Sequence, residues 1–172
     1  MSEVLELETR KKIYAFIEQN PGVNLSTIAD KLDISSQLVD YHLIYLDRHG
    51  IATIVKEGGF KRCYIKGQVG SEDKKILSLL RQETPLLIIL FLLKNPYSRY
   101  RDVMQNLKIS SPLFSYHLRK LVKQGVIIAS TEGPKTGYKV CNETEVVNFI
   151  IRYKPTTILE NVQDVWMDFY PG

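Results

Sequence analysis

The stretches ISSQLVDYHLIYL (residues 34–46) and ISSPLFSYHLRKL (residues 109–121) determine the fold, because the second repeats the first at a spacing of 75 residues. The same spacing relates residues well outside these stretches. Further matches join Glu8-Thr9 with Glu83-Thr84, Asn20-Pro21 with Asn95-Pro96, Gly50 with Gly125, and Glu57-Gly58 with Glu132-Gly133. Chance does not keep one spacing over so long a stretch at apolar, proline and glycine positions. The chain therefore contains two copies of one supersecondary unit.

Each copy is predicted to begin with three helices. In the first copy, Pro21 ends the first helix near Gln19, because the residue before a proline avoids helical backbone angles. After a short second helix, Ser35 is a good N-cap for a third helix that runs to about His49. Gly50 ends this helix at the position where a left-handed residue is usual.

A β-hairpin is predicted to follow the third helix. In the first copy its strands are residues 51–55 and 60–65, joined through Gly58-Gly59. The predicted fold class is mainly α with small β-hairpins. The predicted domains are residues 1–70 and 71–141, followed by a C-terminal helical tail at residues 142–172.

The third helix of each copy, about residues 35–49 and 110–124, is predicted to have a core face and an outer face. The core faces carry Val39, Leu43 and Leu46 in one copy and Phe114, Leu118 and Leu121 in the other. The outer face suits the major groove of B-DNA, and the hairpin would bring cations to phosphate or the minor groove. The predicted DNA contacts are Ser36, Gln37, Tyr41, Arg48, Lys56, Lys61, Arg62, Ser111, Ser115, Tyr116, Arg119, Lys120, Lys123, Lys135 and Lys139.

The pattern Ile-Ser-Ser-x-Leu-x-x-Tyr-His-Leu, followed by x-x-Leu and a glycine, resembles the recognition helix of ArsR-like winged helix-turn-helix regulators. The doubled arrangement with a helical tail resembles archaeal regulators that carry two such domains. The resemblance implies two tandem winged helix-turn-helix domains that bind DNA in transcriptional control. The sequence departs from the family's pattern in two ways. Asp33 and Lys108 stand where such turns usually have glycine, which predicts a looser turn. The metal-binding Cys-x-Cys motif of the family's sensors is absent.

Charge is distributed unequally between the copies. The chain has a net charge of +4, but residues 1–70 contain nine Lys and Arg against nine Asp and Glu, whereas residues 81–140 contain ten against three. On the outer face, Asp40 stands where the second copy has Ser115, and the pair Ile44-Tyr45 stands where it has Arg119-Lys120. We therefore expect the second copy to dominate affinity for a polyanion, while the first adds specificity or contacts a partner.

The segment from Leu86 to Leu93 is apolar on every side, whereas the first copy has Arg10-Lys11-Lys12 on the predicted outer face of its helix. A helix of this kind must be covered on every side. The preceding segment, residues 76–80, and the C-terminal tail are the two candidate coverings.

The tail has its own helix signals. Asn142 with Glu145, and Thr157 with Glu160, have capping-box spacing. One apolar stripe runs along the last predicted helix, and it comprises Ile158, Leu159, Val162, Val165, Trp166 and Phe169. This stripe either packs on the second domain or pairs with its copy in a homodimer, and the dimer is favoured because DNA sites and their regulators are commonly symmetric.

Other functions have weaker support. No phosphate loop, nucleophile elbow or carboxylate pair indicates an enzyme, and no cofactor, metal or small-molecule ligand is predicted. For His42 and His117, a packing role is favoured over metal binding. His49 is interpreted as a residue that interacts with the end of its helix, and Cys63 as an inert thiol. A winged-helix protein–protein interaction module, favoured by the neutral first copy and the Ile44-Tyr45 pair, is the main alternative, and RNA binding is a third.

The location expected from the sequence is the cytoplasm. The N-terminus lacks the basic start and apolar core of a signal peptide, and the two cysteines have no disulfide or metal spacing. The longest apolar run, Leu86 to Leu93, is far shorter than the ~20 residues of a membrane span.

Overall fold

The computed structural model describes residues 7–57, 59–131 and 137–153. The chain divides into two compact units between Ser78 and Leu79. This division falls inside a helix, whereas the sequence analysis placed the domain boundary at residue 70.

The first unit contains α1 (Glu8–Gln19), β1 (Val23–Asn24), α2 (Leu25–Leu32), α3 (Ser36–Arg48), β2 (Ala52–Glu57) and β3 (Phe60–Ile65). The helix α4 (Ser71–Leu80) follows and carries the boundary. The strands form an antiparallel sheet in the order β1-β3-β2, with Val23 opposite Cys63 and Ala52 opposite Ile65. The two-residue strand β1 was not predicted from the sequence, because a strand so short has no detectable alternation of polar and apolar residues.

The second unit contains α5 (Glu83–Lys94), α6 (Tyr100–Asn106), α7 (Ser111–Lys123), β4 (Ile127–Ser130), β5 (Gly137–Val140) and α8 (Glu143–Tyr153). Its sheet is the antiparallel pair β4-β5. Two helices reproduce the sequence repeat residue for residue, since α5 and α7 have the bounds of α1 and α3 shifted by 75. The order of three helices and a hairpin is thus present in both units.

The core of the first unit is built on one face of each helix. Ile13 and Ile17 of α1, Ile28 of α2, and Leu43 and Leu46 of α3 are completely buried. Burial of one such side chain stabilises the fold by about 1.5–3 kcal/mol before entropy is counted. The core face predicted for the third helix therefore matches the observed core of this unit.

The apolar helix α5 is the centre of the second unit. Its buried residues are Pro85, Leu86, Ile88, Ile89, Leu90 and Leu92. It packs against α6, α7 and β5. In addition, the Arg81 guanidinium, just before α5, donates a hydrogen bond to the carbonyl oxygen of Tyr153 at the end of α8 (3.2 Å). This bond ties the described part of the tail to the start of α5.

The capping box predicted at Asn142 is wrong in detail. Asn142 has a left-handed backbone (φ 50), and its side-chain amide donates to the Glu145 carboxylate (3.3 Å). A capping box instead requires each side chain to bond the other residue's backbone N–H. The box at Thr157 and Glu160 and the apolar stripe of residues 158–169 lie outside the described residues.

In the described part of the chain, no single helix is long and apolar enough to cross a membrane. The one pair that passes by length and composition together, Asp73–Leu80 with Glu83–Lys94, is bent by 96°.

The turn before each third helix is closed although it lacks glycine, so the prediction of a looser turn is wrong. Asp33 (φ 53) and Lys108 (φ 51) both adopt the left-handed conformation that glycine would supply. The turn closes with hydrogen bonds from the Ile34 N–H to the Ala29 carbonyl (3.1 Å) and from the Ile109 N–H to the Met104 carbonyl (3.2 Å). A residue with a Cβ pays a steric penalty of roughly 1–2 kcal/mol in this conformation.

Asp33→Gly and Lys108→Gly should therefore each raise the free energy of unfolding, by about 0.5–1 kcal/mol. The gain is smaller than the penalty because glycine has more freedom to lose on folding. Chemical denaturation measures the change, and Asp30→Gly, at an exposed position inside α2, should instead destabilise by about 1 kcal/mol. Destabilisation at all three positions would contradict the assignment of strain to the turns.

Candidate nucleic-acid interface

The helix α7 presents the most complete set of predicted contacts. Ser110 precedes it with an extended backbone, and Pro112 in its first turn fits there because the missing N–H has no helical partner. Phe114, Leu118 and Leu121 are buried, as predicted. We define the outer face of α7 as Ser111, Pro112, Tyr116, Arg119 and Lys123, which are all exposed. Ser115 and Lys120, also predicted contacts, are half-buried.

Tyr100, a residue that the sequence analysis missed, holds the N-terminal half of α7. Its hydroxyl shares hydrogen bonds with the hydroxyls of Ser115 (2.6 Å) and Ser111 (3.0 Å), and donates to the Ser111 carbonyl (3.1 Å). Its ring lies 4.7 Å from that of Phe114, between centroids. Hydrogen bonds to Ser111 and then to Ser115 lower the pKa of the Tyr100 hydroxyl. The repeat gave no signal for this role, because the first copy has Leu25 at the equivalent position.

The hairpin β4-β5 supplies one described cation. Lys139 is half-buried, and its ammonium lies 5.4 Å from the centroid of the Tyr97 ring, within cation–π range. The first residue of β5 must be glycine, because a Cβ at Gly137 would collide with the Tyr97 carbonyl. Lys135 lies outside the described residues.

The helix α3 of the first unit has the same division of faces. Val39, Leu43 and Leu46 are completely buried. Its exposed predicted contacts are Ser36, Gln37, Tyr41 and Arg48, and Lys56 on β2 is exposed as well. The position of the face is therefore common to both units, and the chemistry differs.

An ion pair neutralises part of the first unit's outer surface. The Lys61 ammonium on β3 lies 2.6 Å from the Asp40 carboxylate on α3, and about a third of each side chain is exposed. The pair lies in an open groove of about 420 Å³ between the N-terminal turn of α3 and the hairpin, lined also by Leu25 and Phe60. A phosphate that approached Lys61 would have to compete with Asp40 for the ammonium group. The ion pair therefore weakens the case for the predicted contact between Lys61 and DNA.

The prediction that Arg62 contacts DNA is wrong. Its side chain is only 2% exposed, and its guanidinium donates to the Gly22 carbonyl (2.9 Å). Burial lowers the pKa of this guanidinium, which nevertheless remains charged at neutral pH. Successive residues of a strand point to opposite faces, so Lys61 faces the groove while Arg62 turns inward and ties β3 to the Gly22 turn.

Arg10 was also expected on an outer face and is buried instead. Its guanidinium stacks on the Tyr45 ring, 3.6 Å from the centroid, and its Nε donates to Nδ1 of His42 (3.4 Å). Tyr45 is therefore half-buried under Arg10. Of the Ile44-Tyr45 pair that the sequence placed on the outer face, only Ile44 is exposed.

The histidines fit the packing roles favoured by the sequence. His42 and His117 are buried at 3% and 9% exposure. Burial, followed by the nearby charges of Arg10 and Lys120 respectively, lowers the pKa of both imidazoles. At the end of α3, Nδ1 of His49 lies 2.8 Å from the Tyr45 carbonyl.

The Cys63 thiol and the candidate metal ligands are the other groups that bear on chemistry in the described part of the chain. Burial raises the pKa of the Cys63 thiol to about 12, which makes it a poor nucleophile. Among residues 7–57, 59–131 and 137–153, no group of three His, Cys, Asp or Glu side chains could hold a metal ion.

Comparison with known proteins bears on the second unit most directly. Residues 81–128 match the family model of a winged helix-turn-helix DNA-binding domain. This match covers α5, α6, α7 and the start of β4. Over 138 residues, 80% of the chain, the sequence is 28% identical to an uncharacterised HTH-type transcriptional regulator of Methanocaldococcus jannaschii. The chain spans about a third of that relative's length (34%). These findings support a DNA-binding regulator in general terms.

The lowered pKa values of His42 and His117 predict that stability falls in acid. Both neutral imidazoles are favoured in the native state, so the unfolded chain binds protons first as the pH drops below the ordinary value of 6.5. The contribution of these residues is complete above that pH and is lost as the pH falls through the native pKa.

Thermal unfolding between pH 7.5 and 5 tests this expectation. The melting temperature of the wild type should fall with pH, and the double variant His42→Gln/His117→Gln should lose less stability over the same range. His49→Gln, at an exposed histidine, is the matched control. Parallel losses in the wild type and the double variant would show that these two imidazoles do not titrate on unfolding.

Proposed function

We propose that the chain is a sequence-specific double-stranded DNA-binding protein that regulates transcription, built from two tandem winged helix-turn-helix domains of ArsR-like type. The observation that carries this proposal is the exposed outer face of α7, with Tyr116, Arg119 and Lys123 on one side of a helix whose other side is buried. A helix with this exposure fits the major groove, where each base pair presents a distinct set of polar and apolar groups.

Charge supports assigning most of the affinity to the second unit. Residues 81–140 have a net charge of +7, whereas residues 1–70 are neutral overall. Each cation that neutralises a phosphate releases condensed counterions, so a basic surface gives strong, salt-dependent binding. The second unit is also the one that the family model matches.

The first unit is proposed to contribute specificity more than affinity. Its third helix, α3, has the bounds of α7 shifted by 75 residues and buries the equivalent face. This equivalence supports a second domain that contacts DNA. The Asp40–Lys61 pair and the burial of Arg10 and Arg62 leave it fewer cations for phosphates. Exposed groups such as Gln37 and Tyr41 remain available to base edges.

The assembly proposed is a homodimer through the C-terminal stripe of residues 158–169. Two-fold symmetry would place two copies of the α7 face on a two-fold symmetric DNA site. The proposed location is the cytoplasm, because a DNA-binding regulator works in the compartment that holds the DNA. The proposal also includes no enzymatic activity.

Removing cations from α7 should weaken duplex binding more than removing one from α3. Arg119→Ala/Lys120→Ala should lower affinity at moderate salt by at least tenfold and should reduce the slope of log affinity against log salt by about 2, since the slope is about 0.9 per phosphate contact. Arg48→Ala should change the slope by less than 1. Electrophoretic mobility shifts over a salt series measure both quantities.

Arg152→Ala, at an exposed arginine of α8, removes one positive charge as Arg48→Ala does, and it should leave the slope unchanged. Equal losses for the α7 double variant and for Arg48→Ala would overturn the ranking of the two units. Undiminished duplex binding in both the α7 double variant and Arg48→Ala would overturn the assignment of the DNA interface to these helices, and a wild type that binds no duplex would overturn the proposed function.

Breaking the Asp40–Lys61 pair should strengthen DNA binding by the first unit. Asp40→Ser installs the residue found at the equivalent position of α7, removes a negative charge and frees the Lys61 ammonium for a phosphate. Affinity should rise a few-fold at low salt and the salt slope should steepen by about 1.

Asp47→Ser, which removes the same charge at an exposed position later in α3, is the comparison variant. If the two variants behave alike, the ion pair does not restrain Lys61 and only net charge matters.

A further inference from the structure

Each unit exposes a leucine and a tyrosine at the same place on its third helix. Leu38 and Tyr41 are 39% and 59% exposed on α3, and Leu113 and Tyr116 are 44% and 54% exposed on α7. Residues three apart are neighbours on a helix surface, so each pair forms one apolar patch. We call these the Leu38–Tyr41 patch and the Leu113–Tyr116 patch.

The two patches agree although the residues around them differ. Asp40 corresponds to Ser115, Ile44 to Arg119, and Tyr45 to Lys120. Isolated exposed hydrophobic residues need no explanation in a soluble protein. Two matching pairs with matching exposure, each at the N-terminal half of the helix that faces away from the core, do need one.

Each tyrosine ring lies close to the ring of the buried histidine that follows it. Tyr41 meets His42 edge-on, with centroids 5.2 Å apart and planes at 68°, and Tyr116 meets His117 at 4.9 Å and 79°. In the first unit, the Arg10 guanidinium in turn fixes His42. The Tyr-His-Leu motif thus combines an exposed ring, a buried imidazole beside it, and a core leucine.

We propose that the Leu38–Tyr41 and Leu113–Tyr116 patches contact the C5-methyl groups of thymines in the major groove, one patch for each unit. This inference rests on the proposed function and names what its outer faces recognise. Among the four bases, only thymine presents a methyl group in the major groove, and apolar side chains are its usual contacts. The N-terminal half of the helix, where the patches lie, is the part that approaches base edges in helix-turn-helix docking.

Deoxyuridine substitution tests the proposal, because uracil lacks the methyl group and keeps the hydrogen-bonding edges of thymine. The full chain is first used to select its preferred duplex from a random library. Each thymine of that duplex is then replaced singly by deoxyuridine, and the dissociation constant is measured. At one or more thymines for each unit, binding should weaken about fourfold, the factor that corresponds to one buried methyl group.

Alanine variants connect each thymine to its patch. In Leu113→Ala or Tyr116→Ala, deoxyuridine at the thymine contacted by α7 should change affinity less than twofold, while the thymine contacted by α3 keeps its full effect. Leu38→Ala and Tyr41→Ala should show the reverse. Val122→Ala is the matched control, since Val122 is 41% exposed on α7 but points away from the patch. Thermal unfolding verifies that each variant is folded.

Selective duplex binding that tolerates deoxyuridine at every position would overturn the inference and leave the proposed function intact. Patch variants that change the mass of the protein in solution and not its DNA affinity would also overturn it, and would assign the patches to a protein interface. Failure to bind or to select any duplex would overturn the proposed function itself.

Discussion

The burial of one face of the third helix is the constraint on which the rest of the structure depends. In α7, Phe114, Leu118 and Leu121 cannot leave the core without a cost of several kcal/mol each. Their burial fixes the rotation of the helix about its axis, and so determines which residues are exposed. Tyr116, Arg119 and Lys123 are exposed because the opposite face is buried. The candidate interface is thus a direct consequence of core packing.

The same constraint operates in both units, while the cations around it are arranged differently. In the first unit, Arg10 and Arg62 are buried and stabilise the unit through Tyr45, His42 and the Gly22 carbonyl. The repeat places Pro85 and Gly137 at these positions in the second unit, where the cations lie on α7 and the hairpin instead. One scaffold therefore buries Arg10 and Arg62 in the first copy, whereas in the second copy it exposes Arg119 and Lys123 on α7.

Periodicity in the sequence predicted the elements that repeat and bury an apolar face. Residue type and spacing predicted the end of α1, the approximate bounds of α3, the buried residues of α3 and α7, and the left-handed position of Gly50, which the repeat extends to Gly125. What could not be predicted depends on contacts between residues distant in sequence. The inward turn of Arg62 requires the strand β1 beside it, and the hydrogen bonds of Tyr100 require α6 and α7 to be packed together. The burial of Arg10 under Tyr45 is of the same kind, since composition alone places a basic residue at the surface.

The measurement that tests the central claim most directly is binding to a duplex whose major groove is blocked. A duplex in which glucosylated hydroxymethylcytosine replaces the cytosines within the selected site, on both strands, keeps its phosphates and its minor groove, but the sugars fill the major groove of the site. If the outer face of α7 enters that groove, affinity should fall to the level of non-specific binding while the salt dependence of the residual binding persists. Undiminished selective binding to the blocked duplex would contradict the account.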